Sequence, residues 1–155
     1  MSRIQNAALV AEIVGGIGVI LSLIFVGVQL RGNAALLEAQ AVFDLREANG
    51  LLVRDLTANP ELSELLYRGY QGRAALTEVE NWRFNLWVNE VLRIRLIAWK
   101  YAEQGLLDVE EAESWRAVTC EYLQAYPGAR EVWNSGGPYL RSDFRDQVNE
   151  WCFPG

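Results

Sequence analysis

The chain of 155 residues contains no histidine. That absence removes the commonest general base, the commonest metal ligand and a usual axial ligand of haem. Lysine is almost missing as well, since Lys100 stands alone. Fourteen Lys and Arg oppose 20 Asp and Glu, for a net charge of −6. Phosphate binding demands a basic face, and no cluster of Lys or Arg supplies one, so nucleic acid is excluded as a partner. The chain has no G-x-S-x-G, no H-E-x-x-H and no glycine-rich phosphate loop with its lysine. No catalytic residue, no cofactor and no metal ligand is assigned on these grounds, and the expectation is a protein that is not an enzyme.

Cysteine is scarce too. Cys120 and Cys152 lie far apart and form no C-x-x-C pair. They read as two small buried hydrophobes, and the alternative is a disulfide, which an oxidising compartment alone allows. Strand-like alternation and internal repeats are also lacking, which leaves an all-α fold.

What is present is unevenly spread. Hydrophobic residues make up 51% of the chain and charged residues 22%, yet the 24 residues from Ala7 to Leu30 hold one charge, Glu12. A helix needs about 20 residues to cross the hydrocarbon of a bilayer. The apolar core of a signal peptide is shorter, about 7–15 residues, and a run apolar on nearly all sides is unlike the one-sided helix of a soluble core. The expected organisation is a single transmembrane anchor helix in residues 1–32, followed by a small, membrane-proximal helical bundle in residues 33–155.

At 100° per residue, Ala8, Ala11, Gly15, Gly18 and Ser22 fall on one side of that helix. Their spacing alternates 3 and 4, the pattern of a left-handed helix pair. Gln5, Glu12 and Gln29 lie close to the same side, and Ile13, Ile17, Ile20, Leu21, Ile24 and Val28 lie opposite. Small residues let backbones approach closely in lipid. The expected contact face is therefore Ala8, Ala11, Glu12, Gly15, Gly18, Ser22 and Gln29, with other transmembrane helices and the lipid bilayer as partners. Glu12 has two readings. It sits in the headgroup layer if the hydrocarbon begins at Ile13, or it hydrogen-bonds a partner helix within the membrane. Arg3 and the amino terminus in front, with Arg31 and Arg46 behind, leave the positive-inside count close to a tie.

Beyond the anchor, helical periodicity continues from Asn33 to Leu56, with Gly32 and Asn33 the only weak point. Asn59 caps a helix that Pro60 opens and that Gly69 and Gly72 end. Thr77 and Glu80 form a capping box. The long helix they open carries one apolar stripe through Phe84, Trp87, Val91, Ile94, Ala98 and Tyr101, and a second through Val88, Leu92, Leu96 and Trp99. Such a helix belongs in the middle of a bundle. Arg93 and Arg95 flank the stripe, and each is expected to pair with an acidic neighbour. Asp108 with Glu111 opens the next helix, to about Ala125. A short helix spans about Ala129 to Trp133 after Pro127-Gly128, a turn follows at Gly136-Gly137-Pro138, and Ser142 is expected to cap the last helix, to about Cys152. Glu110, Glu111 and Glu113 suit the dipole of a first helical turn. The six tryptophans mostly fall on apolar faces and read as core, with one or two left for lipid headgroups or an interface.

Several motifs stand along the chain in order: Val28-Gln29-Leu30-Arg31-Gly32-Asn33, Asn59-Pro60-Glu61-Leu62, Gly105-Leu106-Leu107-Asp108, Pro127-Gly128-Ala129-Arg130-Glu131-Val132-Trp133 and Ser142-Asp143-Phe144-Arg145. In this order the chain resembles a widespread group of uncharacterised bacterial proteins with one N-terminal membrane helix and a helical domain. The resemblance implies architecture and the bacterial inner membrane, and no activity. Members carry more basic residues just after the membrane helix, which implies a cytoplasmic domain, whereas Ala34 to Gln40 here contain no Lys or Arg.

Three functions follow as expectations. The first is an accessory or assembly subunit of a larger membrane complex. The second is a homo-oligomer of membrane helices, lining a pore through Gln5, Glu12, Ser22 and Gln29. The third is a small-molecule sensor or enzyme, which requires a pocket with converging carboxylates or arginines in the helical domain.

Overall fold

A computed structural model of the chain describes residues 3–136 and 140–154, with side chains from residue 12 onward within those ranges. The described residues form six α-helices and a short 3-10 turn, and none forms a strand. The helices are α1 (Arg3–Ala58), α2 (Pro60–Gln71), α3 (Glu78–Glu103), α4 (Val109–Ala125), α5 (Pro127–Asn134) and α6 (Ser142–Cys152). The chain divides into two compact units, Met1–Ala39 and Gln40–Gly155.

Gly32 and Asn33 do not interrupt α1. One glycine costs about 1 kcal/mol in a helix, and no proline stands nearby to remove a hydrogen bond. Within the first unit every side chain from Glu12 to Ala39 is exposed, including Ile17, Ile20, Leu21, Ile24 and Phe25. Among the described residues α1 is the one helix long and apolar enough to cross a membrane.

The second unit is built on local signals that act as expected. Asn59 accepts a hydrogen bond from the Leu62 backbone at 3.1 Å, with Pro60 in the first turn of α2. Thr77 and Glu80 close a complete capping box on α3. Asp108 accepts from the Glu111 backbone at 2.7 Å and starts α4. Two expected boundaries are corrected. Gly69 lies buried inside α2, which ends at Gln71, where Gly72 takes the left-handed backbone conformation (φ 152°) that favours glycine. Ser142 is the first residue of α6, and its expected capping role is not seen: the cap position is Arg141. Of the expected turn near Gly136, Gly137 and Pro138 lie outside the described residues.

Helix α3 takes the central place its two stripes predict, packing on α2, α4 and α5. Phe84, Val88 and Leu92 are fully enclosed, together with Leu66 of α2, Leu123 of α4, Trp133 of α5 and Phe144 of α6. Each such side chain contributes about 1.5–3 kcal/mol by leaving water. A second, smaller cluster joins Ala41 and Leu45 of α1 to Ile94, Ala98 and Leu107. Cys120 of α4 is bonded to Cys152 of α6, with Cα atoms 4.9 Å apart. This corrects the reading of the two cysteines as separate buried hydrophobes. Sequence separation is 32, and closing a loop of that length restricts the unfolded chain by about 3–4 kcal/mol.

Candidate functional site

Two places in the chain hold functional potential. The first is the membrane-helix face. Glu12, Gly15, Gly18, Ser22 and Gln29 are all helical and exposed, and they fall on one side of α1, as the 3-4 spacing requires. A Cβ built at Gly15 or Gly18 meets nothing within 4 Å, so among the described residues of the first unit nothing covers the two glycines. The side chains of Gln5, Ala8 and Ala11 lie outside the described residues.

The second place is a pocket in the helical domain, which the third expectation requires but for which the sequence names no residues. A cavity of about 390 Å³ opens between α3, α4 and α6 in the second unit. Its walls are mainly apolar and aromatic: Trp99 from α3, Trp115 from α4, and Phe144 and Trp151 from α6. At its buried end stand Ala98, Thr119, Leu107 and Arg95. Exposed residues at its open end include Glu103, Asp108, Glu113 and Arg116. The Cys120–Cys152 bond ties α4 to α6, two of the three helices that form the walls.

Arg95 sets the chemistry of this cavity. It is only 7% exposed. Its Nη1 donates to the Val91 carbonyl one turn back, at 3.1 Å, and its guanidinium lies 4.9 Å from the centre of the Tyr122 ring. Nε is buried and has no hydrogen-bond partner among the described residues. The expected acidic partner is missing: among the described residues no carboxylate pairs with Arg95. Arg93 does find one, Glu90, on an exposed surface. The nearby hydroxyls are committed elsewhere. Tyr122 donates to the Tyr70 oxygen at 3.2 Å, which also accepts from Trp87 Nε1 at 3.0 Å. Thr119 donates to the Trp115 carbonyl at 2.7 Å.

Burial lowers the pKa of Arg95 from the usual arginine value, with Tyr122 and then Tyr70 acting in the opposite sense. Arginine nonetheless keeps its proton in proteins, so a positive charge stays at the cavity end. Burying such a charge costs several kcal/mol. The contact with Tyr122 returns about 2 kcal/mol and the bond to Val91 about 1.5–3 kcal/mol. One buried N–H and the net charge remain uncompensated.

The acidic residues of α4 do not reach Arg95. Glu111 reaches Arg46 of α1 at 3.8 Å, Asp108 is spent on the helix cap, and Glu113 is exposed. Trp133 is the tryptophan that the core encloses, whereas Trp82 is 63% exposed. The sequence does contain a signal for the cavity, an arginine set between Ile94 and Leu96 on the apolar side of α3. Arginine pairs so readily with carboxylates that this position reads as an ion pair until the neighbours are in place.

Comparison with protein-family profiles, with curated proteins and with solved structures returned no match to this chain.

Proposed function

We propose that this chain is a single-pass protein of the bacterial inner membrane, acting without catalysis as an accessory or assembly subunit through helix–helix contacts in the bilayer. The observation that carries this reading is the uncovered, two-sided helix. Gly15, Gly18, Ser22 and Gln29 run down one side with open space over the glycines, and large aliphatic side chains stand opposite. So many exposed apolar side chains call for lipid or protein to cover them. Lipid suits the isoleucine side, while the small and polar side suits a second helix whose backbone comes close.

The bond between Cys120 and Cys152 supports an orientation with residues 40–155 on the oxidising, extracytoplasmic side of the membrane, since such bonds persist there and are rare in the cytosol. This differs from the cytoplasmic placement that the family resemblance implies.

Cross-linking the full chain in its own membranes, followed by mild-detergent purification, tests the contact face. The wild-type chain is expected to bring down other membrane proteins, and Gly18→Leu and Ser22→Leu to lose them. Recovery of the wild-type chain alone, or of the same partners with both variants, rejects the proposal. A ladder of self-multiples that either substitution removes identifies the partner as another copy of the chain.

A further inference from the structure

We propose that the cavity between α3, α4 and α6 binds a small monocarboxylate with an apolar body, its carboxylate against Arg95 and its body against Trp99, Trp115, Phe144 and Trp151. The inference is independent of the membrane-helix contacts and stands on the second unit alone.

Size is the first ground. A cavity of about 390 Å³ lies within the roughly 300–1,000 Å³ typical of small-molecule sites, and an apolar lining with very few placed polar groups is the usual composition of such sites. Charge is the second. Arg95 is buried, carries a full positive charge and lacks a carboxylate among the described residues, and its Nε has no acceptor. A ligand carboxylate against the guanidinium supplies the missing counter-charge, in a charge-assisted bond of the stronger kind.

The distribution of the remaining charges narrows the class. At the open end the exposed Glu103, Asp108 and Glu113 outweigh the one exposed cation of that rim, Arg116, and Arg95 is enclosed. A phosphate ester or dicarboxylate would leave a second negative charge facing those groups or the tryptophan walls. A single carboxylate that enters first leaves only an apolar body between the aromatic rings. An aliphatic acid released from lipid and a free aromatic acid share this chemistry, so both are tested.

The full chain is placed in phosphatidylcholine nanodiscs and titrated with 4-phenylbutyrate, with octanoate and with the neutral amide of each, against empty nanodiscs. Calorimetry reads affinity, and tryptophan fluorescence reads occupancy beside Trp99, Trp115 and Trp151. Saturable binding of at least one acid is expected, with its amide at least tenfold weaker. The tighter acid identifies the preferred body. Arg95→Met is expected to weaken the acid at least tenfold, leave the amide within about twofold, and melt no lower than the wild type without ligand, because it removes an unpaired buried charge. Ala112→Phe, which fills the cavity and keeps Arg95, is expected to abolish both. Absence of saturable acid binding, equal affinity for acid and amide, or an Arg95→Met chain that melts normally and binds the acid unchanged overturns the proposal.

Discussion

At Gly128, helix α5 passes so close to α2 that a Cβ would overlap the backbone carbonyl oxygen of Gly69. Gly69 in turn leaves room for the ring of Phe84. The missing side chain at Gly128 thus sets the approach of α5 to α2, and the one at Gly69 the approach of α3 to α2. Gly50 of α1 is different, since a Cβ there meets nothing within 4 Å. One substitution should therefore have opposite effects at the two sites. Gly128→Ala is expected to destabilise the chain by about 1–3 kcal/mol through overpacking. Gly50→Ala is expected to stabilise it by about 0.4–1 kcal/mol, because it restricts the unfolded chain and improves an exposed helix. Urea denaturation followed by tryptophan fluorescence measures both, and a shift of the same sign at both positions contradicts the packing described. The contrast is not visible in the sequence, where Gly50 stands in a helical stretch and Gly128 reads as part of a Pro-Gly break, although it lies inside α5.

At the scale of elements, α3 is held from its first turn. Arg68 of α2 donates to Glu80, the Thr77 backbone donates to the same carboxylate at 2.8 Å, and the Thr77 hydroxyl donates to it at 3.0 Å. The Arg68 hydrogen bond, followed by the bonds from Thr77, pulls the Glu80 pKa from its usual 4.5 to about 2. Folding lowers this pKa, so the unfolded chain takes up the proton first as the solution is acidified. The stability from Glu80 is complete above about pH 4.5 and declines as pH falls towards about 2. Urea midpoints collected across that window should fall for the wild type, and Glu80→Gln should flatten part of that fall. Parallel profiles for the two chains would show that Glu80 is not a source of acid sensitivity. The capping box was legible beforehand, because it depends on residues three positions apart. Its tie to Arg68 was not, because that depends on how α2 folds back on α3.

For the molecule as a whole, the disulfide and the apolar helix bear on one question raised by the proposed function, the side of the membrane on which residues 40–155 would reside. If that side is oxidising, acid-trapped cells denatured without reductant should yield a chain that takes up no maleimide–polyethylene glycol, and two additions should appear only after reduction. Two additions without reduction would place the unit on the reducing side and reverse the proposed orientation. The cysteines read as separate hydrophobes in the sequence because a spacing of this length says nothing of proximity. Only the packing of α4 on α6 brings them within bonding reach.

Helix periodicity, caps and the long apolar run act over one to four residues or along a single axis. The sequence by itself therefore determined the all-α fold, most helix limits, the central place of α3 and a helix fit to cross a membrane. Tertiary structure decided whatever depends on several helices at once: the Gly69–Gly128 approach, the disulfide, and the cavity with its charge at Arg95. The expected partner of that arginine was a carboxylate of the chain. Packing left it against the Tyr122 ring at the cavity instead, because which neighbour meets a helical side chain is settled by the other helices. The proposed contact face rests on one helix alone, so its residues can be chosen from the sequence, and the cross-linking experiment decides what covers it.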